Sequence, residues 1–112
     1  MKCYICFPKL TTKRQSIKRF DCIKNRINSL GVGADGKKID FIDTINYGDD
    51  PPKTTKYYTL WYLATEIQKM SEADFVAFAP NWETDAECKV INKIVLMYDI
   101  PYFELEPWED YG

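Results

Sequence analysis

Histidine is absent from the 112 residues. That removes the usual general base near neutral pH, the imidazole metal ligand and every Ser-His or Cys-His dyad, so any chemistry has to run on carboxylates, tyrosines or thiols. A basic excess is absent too. Fifteen Lys plus Arg face seventeen Asp plus Glu, a net charge of -2, whereas neutralising a phosphate backbone needs positive charge in surplus, so nucleic acid is not an expected partner. No run approaches the roughly 20 apolar residues of a membrane span. The opening residues, Met1 to Phe7, read as a strand rather than a signal peptide, and the expectation is a cytoplasmic protein with no membrane partner. Phosphate-cradling loops are missing as well: there is no GxGxxG and no Walker A sequence, so the sequence points to no nucleotide cofactor, nor to any other. Cysteine is sparse, with Cys3, Cys6, Cys22 and Cys88. The Cys3-x-x-Cys6 pair lies in an apolar run, where a strand turns the two side chains to opposite faces, so these are read as structural thiols and no metal site is expected.

Core-forming material is plentiful, at 46% hydrophobic and 15% aromatic residues. A chain of this length is one domain, residues 1–112, and a fold of this size buries roughly two-thirds of the unfolded chain's surface. Along the chain, 2–7 (KCYICF) reads as a strand buried on both faces and stopped by Pro8. Ile17, Phe20, Ile23, Ile27 and Leu30 fall at helical spacing, with Gly31 as the stop. Residues 39–45 (IDFIDTI) alternate like a half-covered edge strand. The segment 46–55 (NYGDDPPKTT) loses all periodicity and reads as a long binding loop. A second helix carries Leu60, Leu63, Ala64, Ile67 and Met70, and 75–79 (FVAFA) is another buried strand before Pro80. Thr84 and Glu87 fit a capping box at the start of a third helix, whose apolar stripe is Cys88, Ile91, Val95 and Tyr98. Residues 102–105 (YFEL) form a last strand, followed by an acidic, aromatic tail at 106–112.

This alternation predicts an α/β fold: a small three-layer flavodoxin- or Rossmann-like sandwich on a parallel sheet of about four strands, in the order 2-1-3-4. Its ligand site would lie beyond the carboxyl ends of the strands, at the switch between the first and third. The loops at that address carry Tyr47, Asp49, Asp50, Asn81, Trp82, Glu83, Asp85 and Glu87, with Tyr4 on the strand below. Trp82 offers either a stacking plane for a planar ring or a cover for the helix–sheet junction. The acids at 83, 85 and 87 read as helix-dipole complementation or as acid–base groups, and they make a neutral sugar or base a better fit than phosphate.

In these segments the chain resembles the nucleoside 2-deoxyribosyltransferase superfamily, particularly its short bacterial and phage relatives. The start Met-Lys-Cys-Tyr-Ile-Cys-Phe-Pro is similar to the family's MKIYLAGP opening, with Tyr4 and Pro8 matching. Leu60-Trp61-Tyr62-Leu63 and Ala73-Asp74-Phe75-Val76 are similar to its LWYLG and AD-V segments. Trp82-Glu83 through Cys88 resembles the GWE...GC-x-x-E signature, and Ile100-Pro101 its GIP. The resemblance implies a site in which a first-strand tyrosine orients a nucleophilic glutamate and an aspartate contacts the leaving base. It places that glutamate at Ile91 and puts Glu87 where the family has glycine. Isoleucine cannot attack an anomeric carbon. Glu87 lies one helical turn earlier, about 6 Å nearer the mouth.

The leading expectation is therefore a catalytically degenerate protein that binds or sequesters a nucleoside- or nucleotide-derived molecule, an ADP-ribose-type signal among the versions the resemblance allows. Its ligand residues would be Tyr4, Pro8, Tyr47, Asp74, Asn81, Trp82, Asp85 and Glu87. An active N-glycosyl hydrolase or transferase using Glu87 or Glu83 is the first alternative. A phage-type inhibitor or interaction module acting through the acidic aromatic tail is the second. The resemblance also implies a homo-oligomer, with a dimer as the expected state.

Overall fold

A computed structural model describes residues 1–31, 38–46 and 50–111. Strands and helices alternate through β1 (Lys2–Cys6), α1 (Lys13–Ser29), β2 (Asp40–Phe41), α2 (Tyr58–Met70), β3 (Phe75–Phe78), α3 (Ala86–Met97) and β4 (Tyr102–Glu104), with a 3-10 turn at Trp82–Thr84. Every strand pair is parallel and the sheet order is β2-β1-β3-β4, as right-handed crossovers and one reversal of winding predict. This is a small Rossmann-like α/β sandwich. No helix among the described residues is long and apolar enough to cross a membrane.

The two central strands show the alternation that a sheet covered on both faces requires. Cys3, Ile5 and Phe7 face the layer of α1, together with Phe75, Ala77 and Ala79, and meet Phe20, Ile23 and Ile27. Tyr4, Cys6, Val76 and Phe78 face the opposite layer, where Leu63 and Met70 of α2 and Cys88, Ile91 and Val95 of α3 cover them. Cys3 and Cys6 thus lie on opposite faces, and burial pushes the Cys3 thiol up to about 12, which makes it inert rather than nucleophilic.

The start of α1 is fixed by a capping box that Thr12-x-x-Gln15 encodes: the Gln15 N–H donates to Thr12 Oγ1 at 3.1 Å and the Thr12 N–H donates to Gln15 Oε1 at 3.2 Å. At its end Gly31 takes a φ of 73°, the left-handed geometry that glycine adopts without steric cost.

Three expectations change. The edge strand predicted over 39–45 is only Asp40–Phe41. Beyond it the Asp43 carboxylate accepts from the N–H groups of Ile45 at 2.9 Å and Asn46 at 3.2 Å, a local turn that takes the chain off the ladder, while Lys69 Nζ donates to the Asp43 carbonyl at 2.8 Å. Leu60 and Tyr98, placed on apolar stripes, are 61% and 71% exposed, because each lies at the outer end of its helix, Leu60 in the first turn of α2 and Tyr98 at the C-cap of α3. The aromatic part of the tail is docked on the domain, while Glu106, Glu109 and Asp110 stay exposed. Trp108 and Tyr111 are partly buried against the α1 layer, their rings 4.7 Å apart. Arg19 lies over Tyr111 at 4.4 Å, and the Tyr111 hydroxyl donates to the Pro80 carbonyl at 3.1 Å.

Candidate functional site

β1 ends at Cys6, and Pro8 has no N–H for the ladder, so the chain leaves the sheet at its carboxyl edge and carries Lys9 across the mouth. There Lys9 Nζ makes an ion pair with Glu66 of α2. Glu66 is 3% exposed and lies on the buried side of its helix with Leu63 and Met70. From the other side α3 begins at Asp85, whose carboxylate accepts from the Cys88 N–H at 2.9 Å. Asp85 is therefore the N-cap of α3, and the Thr84–Glu87 capping box does not form. The reason is local: Asn81 adopts a left-handed φ of 68°, the 3-10 turn follows, and Thr84 turns its hydroxyl back to the Asn81 carbonyl at 2.7 Å.

Glu87, relieved of capping, lines one small cavity with Tyr4, Lys9, Glu66, Asp85 and Ile91. Its volume of about 10 Å³ holds one water at most. Burial pushes the Glu87 carboxyl up to about 7; contact with Glu66 and the charges of Glu66 and Asp85 add to the rise, and Lys9 opposes it. The floor is apolar, with Ile91 1% exposed, and the neighbouring Cys88 thiol is raised by its contact with Cys6 and by burial. Two carboxyl groups in contact, one of them paired with an ammonium, can hold and move a proton and can accept or donate hydrogen bonds to a polar ligand. Among the described residues no group of three or more potential ligands is arranged to hold a metal ion.

The structure thus brings Tyr4, Asp85 and Glu87 of the expected site residues to one cavity. Pro8 adjoins it as the turn after β1. Asn81 is exposed in the β3–α3 loop. Trp82 stands aside: its ring packs on Phe78 at 5.2 Å and its indole N–H donates to Glu104 Oε1 at 2.8 Å, which is the junction-covering role rather than an open stacking plane. Asp74 lies at the opposite, amino end of the sheet, where its carboxylate accepts from the Lys2 N–H at 2.7 Å, so it cannot reach a ligand at the carboxyl edge. Tyr47 and Asp49 lie outside the described residues. Glu83 is exposed in the 3-10 turn. Lys9 and Glu66 are the members that sequence reasoning did not pick out; the available signal was a glutamate in the buried stripe of α2, between Leu63 and Met70, where a carboxylate needs a partner.

No protein-family model matches the chain, and neither does any curated protein or solved structure. The fold and the cavity are the findings on which a functional reading rests.

Proposed function

We propose that this protein binds a nucleoside- or nucleotide-derived small molecule at the carboxyl edge of its sheet, between β1 and β3, in a deoxyribosyltransferase-like mouth that has isoleucine at the usual nucleophile position. The observation that carries the reading is the convergence of Tyr4, Asp85, Glu87 and Ile91 on one cavity at the topological switch point, the address at which such sheets take ligands. In the described state the cavity admits only a water, so binding requires the Glu66–Glu87 contact and the Lys9 bridge to rearrange around the ligand. The acids favour the sugar or base moiety of such a molecule over its phosphate.

One observation favours a second reading, cleavage of an N-glycosidic bond: Glu87 is not consumed by capping and shares the cavity with Tyr4. A carboxylic acid still protonated near neutral pH can donate to a departing base. Calorimetry and thermal shift with a panel of purine and pyrimidine nucleosides, their monophosphates, NAD and ADP-ribose test the first reading, and chromatography of the same mixtures tests the second. Binding without base release supports retention. Base release that disappears in Glu87→Gln supports cleavage, and a panel that yields no binder overturns both.

A further inference from the structure

The mouth between β1 and β3 contains more charge than the family resemblance explains. Glu66 reaches it from α2, almost fully buried, and Glu87 lines the same small cavity from the first turn of α3. Two carboxyl groups in contact do not both ionise readily, and the arrangement of lowest energy keeps one proton between them. Lys9 breaks the symmetry, since its ammonium is bonded to Glu66. We infer that Glu66 and Glu87 form a single proton-sharing acid–base unit, in which Lys9 is the positioning residue that keeps the charge on Glu66 and the proton on Glu87.

The groups facing Glu87 from each packed element are consistent with this assignment. Tyr4 and Cys6 come from β1, Lys9 from the turn after it, Glu66 from α2, and Asp85 and Cys88 from the start of α3. Lys9 is the one cation among them, and Asp85 is occupied with the Cys88 N–H. A bound molecule would therefore meet an O–H donor on Glu87 beside an acceptor on Glu66, a fixed donor–acceptor pair suited to a ligand edge with the complementary order. The inference rests on the reading of this mouth as the ligand site, but its test needs no ligand.

Protein labelled with carbon-13 at the glutamate carboxyls is followed by NMR from about pH 4 to about pH 9, with Glu66→Gln and Glu87→Gln to assign the signals. The expected result is a Glu87 midpoint near 7 that falls by about one pH unit or more in Glu66→Gln and rises in Lys9→Met. Lys9→Arg, which keeps the charge, holds the wild-type midpoint and serves if the methionine variant fails to fold. An ordinary glutamate midpoint for Glu87, or one unmoved by Glu66→Gln, overturns the inference. A coupled titration in a protein that binds nothing in the panel leaves the acid–base unit standing and removes only the functional reading.

Discussion

Replacing Glu87 by glutamine should flatten the pH dependence of stability, and the size of the effect follows from the environment of the side chain. In the folded protein the Glu87 carboxyl is raised from its ordinary 4.5 to about 7. Between those values the folded state holds a proton that the unfolded chain has released, so stability is fully present below about pH 4.5 and is lost as pH rises through about 7. At about 1.36 kcal/mol per pH unit the whole displacement is worth about 3 kcal/mol. Glu87 is only partly buried, and solvent screens the Glu66 charge, which reduces the expected loss to about 1 to 2 kcal/mol. A glutamine in its place is neutral at every pH and keeps a donor for Glu66. Thermal melts of wild type and Glu87→Gln, followed by circular dichroism at about pH 5 and about pH 8, should therefore diverge: near equal at the lower pH, with the variant higher by about 4 to 8 °C at the upper. A wild-type-to-variant difference that stays constant across this range would refute the argument, because Glu87 would then titrate alike in both states.

The remaining predictions concern the frame around the cavity. Asp85→Ala removes the N-cap of α3 and should cost about 1 kcal/mol in urea unfolding, while Asp85→Asn, which keeps an acceptor for the Cys88 N–H, should restore most of it. Phe78→Ala empties a fully buried site on β3 and should destabilise by about 3 to 5 kcal/mol. Asp74→Ala should lower stability by about 1 kcal/mol through the lost Lys2 hydrogen bond, yet leave the affinity of any ligand found in calorimetry unchanged. Tyr111→Phe should cost about 0.5 to 1.5 kcal/mol, because the Pro80 carbonyl loses its donor; the tryptophan emission of Trp108, docked on the same tail, provides a second readout of whether the tail remains in place.

The strand order was readable because the signals behind it are simple: two apolar runs closed by Pro8 and Pro80, helical stripes between them, and chirality rules that leave few topologies. Trp82 and Asp74 show where such reading stops. Trp82 lies in a loop at the ligand edge, but its plane is claimed by Phe78 and its N–H by Glu104, partners brought to it by tertiary packing. Asp74 entered the expected site only through a resemblance, yet it precedes β3 and so falls at the amino end of the sheet. Glu87 was visible as a residue type, but its role turned on whether Thr84 or Asp85 capped α3, a choice settled by the left-handed turn at Asn81. Glu66 was obscured for the opposite reason. A charged residue within an amphipathic helix ordinarily faces water, and it is tertiary packing, with Lys9 approaching from the β1 turn, that supplies this buried carboxylate with a partner.

The sheet has its longest strands in the middle, and its outer strands are short: β2 has two residues and β4 has three. A partner strand would find only a brief row of open backbone groups on either side, with Asp40 exposed on one edge and Glu104 exposed and bonded to Trp82 on the other. Such borders resist edge-to-edge addition. Among the described residues, a sheet running continuously through a dimer is not an arrangement these edges favour. Strand-borne aggregation is blunted by the same economy, so the protein can keep a largely apolar, two-sided central pair without presenting it as a template.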